Sequence, residues 1–224
     1  MDQKLWYIKN VGDLFSGLDD NEKKALADMS KMVECRRKHQ FYLPDELSDK
    51  IYLVKKGMIR LGRINKDGEE ITLDVLGPGE IFGELAVADE KQRSHFAEAT
   101  QDSLVCIFPQ NKFQQFLAEH QELTFKVMKL IGFRLRDMET RLQDLTFQPV
   151  AERLQVALVR LAERHGAKEP NGKIRLSITQ KDLAYLIGAT RESVAEELGH
   201  LKRSGVIDTA YRSLLLNDMS QLRH

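Results

Sequence analysis

The spacing of apolar positions changes twice along the chain. From about Glu34 to Phe108 it has the short runs and alternation of strands: "IYLVKKGMIRLGRI", then "NKDGEE", then "ITLDVLGPGEIFGE", punctuated by Gly57, Gly68, Gly77, Gly79 and Gly83. Asp67-Gly68 between two such runs is a hairpin signal. Short, evenly spaced strands predict a small antiparallel barrel or roll. From Asn111 to about Phe147 the period lengthens. Met128, Ile131, Leu135, Met138, Leu142 and Leu145 step by 3, 4, 3, 4, 3, the spacing of a coiled-coil seam. With Met128, Leu135 and Leu142 at position a, Arg134 falls at g and Glu139 at e, the offset that pairs them across a parallel dimer. The competing arrangement is a long helix packed on its own roll.

Gln148-Pro149 marks a hinge, because proline disfavours helix at the residue before it. Beyond it come a helix "VAERLQVALVRLAERHG", a polar turn "AKEPNGK" and a strand "IRLSI". "TQKDLAYLIGATRESVAEELGHLKRSGVI" then reads as helix, turn at Gly188, helix, and stop at Gly205. The first helix would bury Leu183, Leu186 and Ile187, the second Val194, Leu198 and Leu201, which is the pattern of a helix-turn-helix. "VIDTAYRSLLLND" follows as a β-wing. The expected fold class is therefore α+β, in three parts: a roll over 1–110, a dimerisation helix and hinge over 111–148, and a winged helix-turn-helix over 149–224.

Composition narrows the function. The 224 residues, 42% hydrophobic and 30% charged, can bury a core, and no apolar run approaches the roughly 20 residues of a bilayer span. "MDQKLWYIKN" lacks the features of a signal peptide, so a cytoplasmic protein with no membrane partner is expected. Net charge is zero overall, but residues 150–224 carry 12 Lys and Arg against 9 Asp and Glu, a bias suited to phosphate contacts. Cys35 and Cys106 are too few for an iron-sulfur or zinc framework; they read as small buried hydrophobes, with any redox role left open. The histidines at 39, 95, 120, 165, 200 and 224 have no paired ligand spacing, so no metal is expected. No Ser-His-Asp, Cys-His or phosphate-loop arrangement recommends an enzyme.

Thr190 is positioned to cap the second helix, placing Arg191, Glu192 and Ser193 in its first turn. With Val194, Leu198 and Leu201 inward, Glu192, Glu196, Gly199 and Arg203 face outward. Arginine reads guanine bidentately and a carboxylate accepts from the cytosine amino group, so Arg191 and Glu192 together can read a G·C pair. Thr179, Gln180 and Lys181 open the first helix, where amides and polar side chains meet phosphate. In the roll, Gly83 allows close backbone approach, Glu84 can accept from a sugar hydroxyl, and Arg93-Ser94 offers a cationic fork and a hydroxyl to a phosphate.

This arrangement, with "FGELAVADEKQRSHFA" at 82–97 and "TRESV" opening the second helix, resembles the CRP/FNR family of bacterial transcription regulators over essentially the whole chain. The resemblance implies a cyclic-nucleotide-binding β-roll, a dimerising helix, and a homodimer on palindromic promoter DNA whose half-sites lie one turn, ~34 Å, apart. It implies an effector site of Gly83, Glu84, Leu85, Arg93 and Ser94, with Glu84 on the ribose and Arg93 and Ser94 on the cyclic phosphate of a candidate cAMP-like effector. The family's adenine-binding hydroxyl pair falls on Met138 and Glu139; methionine offers nothing useful there, and glutamate can accept from an amino group. Asp45 stands where the family has a turn glycine, and His95 lines the rim rather than ligating haem. Glu196 replaces a frequent guanine-reading arginine, which predicts a half-site departing from TGTGA. By location, "HGAKEPNGK" would contact RNA polymerase. Two alternatives stay open: a constitutive regulator whose pocket is closed by a Glu84–Arg93 pair, and a cyclic-nucleotide-binding regulatory subunit acting through protein contacts.

Overall fold

The structure, a computed structural model, describes residues 14–210 and 212–222. They form two compact units, one comprising the chain up to Glu69 with Leu73–Arg136, the other Glu70–Thr72 with the chain from Asp137. The first begins with α1 (Asp20–Met29), whose start is fixed by a capping box: Asp19 accepts from the amides of Asn21 and Glu22, and Glu22 accepts from the amide of Asp19. Eight strands follow: β1 (Lys31–Cys35), β2 (Gln40–Tyr42), β3 (Lys50–Lys56), β4 (Ile59–Ile64), β5 (Glu70–Leu76), β6 (Ile81–Phe82), β7 (Phe96–Ala99) and β8 (Ser103–Pro109). They make two four-stranded sheets, ordered β1-β8-β3-β6 and β2-β7-β4-β5. The expected Asp67-Gly68 hairpin joins β4 to β5, with Gly68 at φ +82°, a conformation glycine adopts without a Cβ penalty.

β3 is buried on both faces, which is why "IYLV" runs apolar without alternation. Tyr52 and Val54 pack with Tyr42, Ile59, Phe82 and Val105 in one cluster. Ile51 and Leu53 pack with Phe15, Leu26, Phe108 and Phe113 in the other. Lys55, next on the strand, is only 2% exposed, and its Nζ has no hydrogen-bond partner among the described residues. Burial lowers its pKa to about 8. A lysine whose folded pKa lies below its unfolded value binds fewer protons when folded, so stability rises as pH climbs from about 8 towards the unfolded value and the penalty is fully present below it. Lys55→Met should therefore stabilise the protein by ~3 kcal/mol at pH 7 and flatten that rise, as read from urea unfolding at pH 7 and 9.5.

Two helices, rather than one from residue 111, follow the roll: α2 (Gln110–Glu119) and the 27-residue α3 (Gln121–Phe147), about 40 Å long. The chain breaks at His120, and the Thr124 hydroxyl donates to the carbonyl of Leu117 at 2.7 Å, satisfying an acceptor that the break releases.

In the second unit, α4 (Val150–His165), α5 (Gln180–Ile187) and α6 (Arg191–Arg203) share a core of Leu154, Leu158, Leu183, Ile187, Val194 and Leu198. Leu186 and Leu201, expected inside, are half-buried. A sheet ordered β11-β12-β10-β9 completes it, from β9 (Ala167–Lys168), β10 (Ile174–Leu176), β11 (Ile207–Ala210) and β12 (Ser213–Leu216). "AKEPNGK" is thus a β9–β10 hairpin rather than a plain turn, and β11–β12 form the expected wing, whose Tyr211 lies outside the described residues. No helix among the described residues is long and apolar enough to cross a membrane.

Candidate nucleic-acid interface and effector site

The turn between α5 and α6 is made by Gly188, which caps α5 in the left-handed conformation at φ +59°. The orphan carbonyls at this end are taken by arginines: Arg153 donates to Ile187 O at 2.6 Å and Arg141 to Leu186 O at 2.9 Å. Thr190 caps α6 by accepting from the Ser193 amide, and its hydroxyl lies 2.9 Å from that of Ser193. Arg191, Glu192, Glu196 and Arg203 are exposed and Ser193 is half-buried. Glu197 is half-buried and lies 3.5 Å from His200.

Beside this tip is a groove of about 270 Å³ whose lining includes Thr179, Gln180, Lys181, Arg191, Thr209 and Arg212. It brings the start of α5, the tip of α6 and the wing to one surface, the combination that holds a DNA backbone. The hydroxyl of Thr179 is committed to a capping box with Asp182, at 2.6 Å. Any phosphate contact there falls to the amides of the helix start and to Gln180 and Lys181.

Along α3, Met128, Leu135, Met138, Leu142 and Leu145 are between 48% and 66% exposed, a continuous apolar seam on a helix. Ile131 departs from it and packs partly against the roll of its own chain. Arg134 departs further. Its guanidinium pairs with the Glu84 carboxylate, donates to Ile81 O at 2.6 Å and lies 3.9 Å from Asp74. Arg134, expected to pair with Glu139 across a dimer, is thus engaged within its own chain by Glu84, which is only 6% exposed. Heptad position reports neighbours along a seam but not the roll beside it. Glu139 is exposed.

The anion cassette is assembled by turns. Gly83 sits at φ +73°, and a Cβ there would lie 2.9 Å from Lys50 O and 3.0 Å from an Arg93 nitrogen. A 3-10 turn over Glu84–Ala88, containing Leu85, ends at Asp89 in the left-handed conformation, throwing Glu90 back towards Arg93. Asp45 also adopts positive φ, +68°, as its place in a glycine position requires, and its amide donates to Arg93 O. Arg93 is 1% exposed; its guanidinium lies over the Tyr42 ring at 4.4 Å, donates to Gly83 O at 3.2 Å and to Lys50 O, and meets Glu90 at 3.4 Å.

Its Nε has no partner among the described residues, an orphan buried donor that an oxygen of a bound anion would satisfy. The Glu84–Arg93 pair considered as a closure of the pocket is not formed, because Glu84 goes to Arg134 and Arg93 to Glu90. Ser94 Oγ lies 3.2 Å from Glu90 Oε1 and 3.2 Å from His95 Nδ1, and His95 Nε2 lies 3.0 Å from the Tyr42 hydroxyl. Burial holds His95 below the usual imidazole range and pushes the Tyr42 phenol up, so both are neutral at pH 7. A His95 protonated on Nδ1 completes one chain of donors, Tyr42 to His95 to Ser94 to Glu90. Met138 and Glu139 lie on the part of α3 that belongs to the second unit.

Sequence reasoning placed Arg93, Ser94, Glu84 and Gly83 together, gave Arg134 a place at the dimer seam only, and missed Glu90, Tyr42, Arg141 and Arg153. Each of these is brought in by tertiary structure, and no local spacing marks it.

A β-roll followed by an exposed seam and a helix-turn-helix with a wing defines the class of DNA-binding regulators. Comparison with known proteins agrees: residues 33–120 match the cyclic nucleotide-binding domain and residues 152–224 the Crp-like helix-turn-helix domain. The chain is 33% identical over 195 residues to the cyclic AMP receptor protein of Thermus thermophilus, covering 87% of each. It is 29% identical over 211 residues to a CRP-like cAMP-activated global transcriptional regulator of Mycobacterium tuberculosis, covering 93% of this chain and 94% of the relative. A solved CRP-family transcriptional regulator of Thermus thermophilus superimposes with a TM-score of 0.71 at 28% identity, covering 85% of this chain and 94% of that one. The chain belongs to the CRP/FNR family of transcription regulators and is a DNA-binding protein.

Proposed function

We propose that the protein acts as a cytoplasmic homodimer, joined along α3, that reads palindromic promoter DNA with Arg191, Glu192 and Glu196 of each α6. Ser193 and the start of α5, through Gln180, Lys181 and the amides that follow the Thr179 cap, hold phosphates. The observation that carries this reading is the coexistence of an apolar seam exposed along α3 with a capped α6 whose tip is exposed and charged. Its function is regulatory binding rather than catalysis.

The effector is a nucleotide whose phosphate binds Arg93 and Ser94 beside Gly83 and Leu85, with Glu84 towards the sugar. The orphan Arg93 Nε favours an anion there. The Mycobacterium tuberculosis relative is a cAMP-activated regulator, which makes cAMP the first ligand to try. The ligand acts by favouring one arrangement of the dimer helices and hence one spacing of the two α6 helices. The β9–β10 hairpin, polar and largely exposed, is the surface offered to RNA polymerase.

Titrating a palindromic duplex with protein at concentrations far above Kd should saturate at two chains per duplex. Saturation at one chain would contradict the dimer.

A further inference from the structure

The carboxylate of Glu90 is surrounded by four donors. Ser48 Oγ donates to it at 2.9 Å, Arg93 Nη1 meets it at 3.4 Å, and the Ser94 amide and hydroxyl approach at 3.3 and 3.2 Å. A guanidinium, a backbone N–H and two hydroxyls around one anion are the donor set of a phosphate site. Two of its members, Arg93 and Ser94, are the residues to which the proposed function gives the effector phosphate. The Glu90 side chain is only 12% exposed, held by the left-handed turn at Asp89 and by the Glu90 amide donating to Leu85 O at 3.1 Å. Its position therefore follows from the backbone and is not the chance resting place of a surface side chain.

We infer that Glu90 is an internal phosphate surrogate: its carboxylate occupies the anion site of the roll, and a phosphate ester binds only by displacing it. Two anions cannot share the Arg93–Ser94 donors, since like charges in contact repel strongly in a buried setting. Glu90 thus determines which ligands the pocket accepts. An anion must bring enough further contacts, to Glu84 and to the base side, to repay the displacement. Bare phosphate does not, and a nucleotide with a sugar and a base can. Displacement also changes the acceptor on which the donor chain from Tyr42 through His95 and Ser94 terminates, from a carboxylate to a phosphate. This inference rests on the proposed effector site for its nucleotide, but the competition itself is independent of which phosphate ester is used.

Glu90→Gln keeps the shape and the hydrogen bonds from Ser48 and Ser94 while removing the charge. Calorimetric titration of the nucleotide-stripped, full-length dimer with cAMP should show the variant binding ~10- to 100-fold more tightly than the parent, and Glu90→Gln combined with Arg93→Ala losing the gain. Thermal unfolding with 0–50 mM inorganic phosphate, at ionic strength fixed with chloride, provides the second readout: Glu90→Gln should be stabilised and the parent not.

Ser48→Ala, which removes one of the four donors that hold Glu90, should give a smaller gain in cAMP affinity and guards against a variant that misfolds. Equal cAMP affinity in parent and Glu90→Gln, with no phosphate effect on either, would overturn the inference while leaving the nucleotide site standing. A phosphate effect confined to Glu90→Gln, with no cAMP heat in any protein, would uphold the inference and remove cAMP from the proposed function.

Discussion

Leu135→Glu combined with Leu142→Glu is expected to give a folded monomer that binds its DNA site roughly three or more decades more weakly than the parent. Both side chains are exposed on the chain itself, at 58% and 66%, so the changes remove no intrachain core and each unit should keep its unfolding transition. In a parallel dimer the same changes place four carboxylates in one apolar seam, where neither cation nor water can compensate them. A monomer engages one half-site only. It falls from the ~10⁻⁸–10⁻¹¹ M of specific complexes towards the ~10⁻⁴–10⁻⁶ M of non-specific ones. Sedimentation velocity and fluorescence anisotropy on one duplex check both halves of this expectation. A dimer that survives the double substitution would place the interface elsewhere.

Arg191→Ala carries the second large effect. The residue is exposed in the first turn of α6, so its loss leaves the helix intact. A bidentate arginine-guanine contact discriminates by about 1–3 kcal/mol, and a two-fold symmetric complex makes it twice, for roughly 2–6 kcal/mol. That corresponds to a loss of roughly 30-fold to 10⁴-fold on the specific site, while affinity for unrelated DNA should change little. Arg191→Lys should recover the charge but only part of the specificity, since an ammonium cannot make the planar fork. Competition binding against specific and scrambled duplexes measures the ratio directly. An equal loss on both would mean that Arg191 holds phosphate and reads no base.

Those two predictions rest on features legible in the sequence. The 3-4 spacing of Met128 to Leu145 exposes the seam, and Thr190 and Gly188 sit where a cap and a left-handed turn belong. The strands of the roll were legible for the same reason, since alternation and glycine punctuation are local. The contacts that decide the state of the effector site were not. Glu90 is three residues from Arg93, but their meeting depends on the reversal at Asp89, and Arg134 reaches Glu84 across 50 positions of sequence. Heptad position set Arg134 towards a partner's Glu139, and an internal Glu84–Arg93 pair was the alternative that would close the pocket; in the fold Glu84 meets Arg134 and Arg93 meets Glu90, residues that tertiary structure sets side by side. Lys55 was illegible for a related reason. "VKK" reads as a strand running out to solvent, and the first of those lysines is covered.

These pairings bear on regulation. With Glu84 held by Arg134 and Arg93 by Glu90, the two charged contacts proposed for a nucleotide are already made within the chain. In the proposed site a phosphate would take the place of Glu90 on Arg93, whereas the Glu84 carboxylate has lone pairs enough to accept from a sugar hydroxyl and from Arg134 together. Arg134 thereby links the state of the pocket to the helix that would carry the dimer seam.

Selection of duplexes from a random-sequence pool by the purified protein tests the central claim most directly. The account predicts enrichment of a palindrome with half-sites one helical turn apart, each with a G·C pair read by Arg191 and Glu192 and a departure from TGTGA at the neighbouring position, where Glu196 faces the groove. Recovery of TGTGA unchanged would contradict the role given to Glu196, and a pool with no enriched palindrome would contradict the dimeric DNA reader itself.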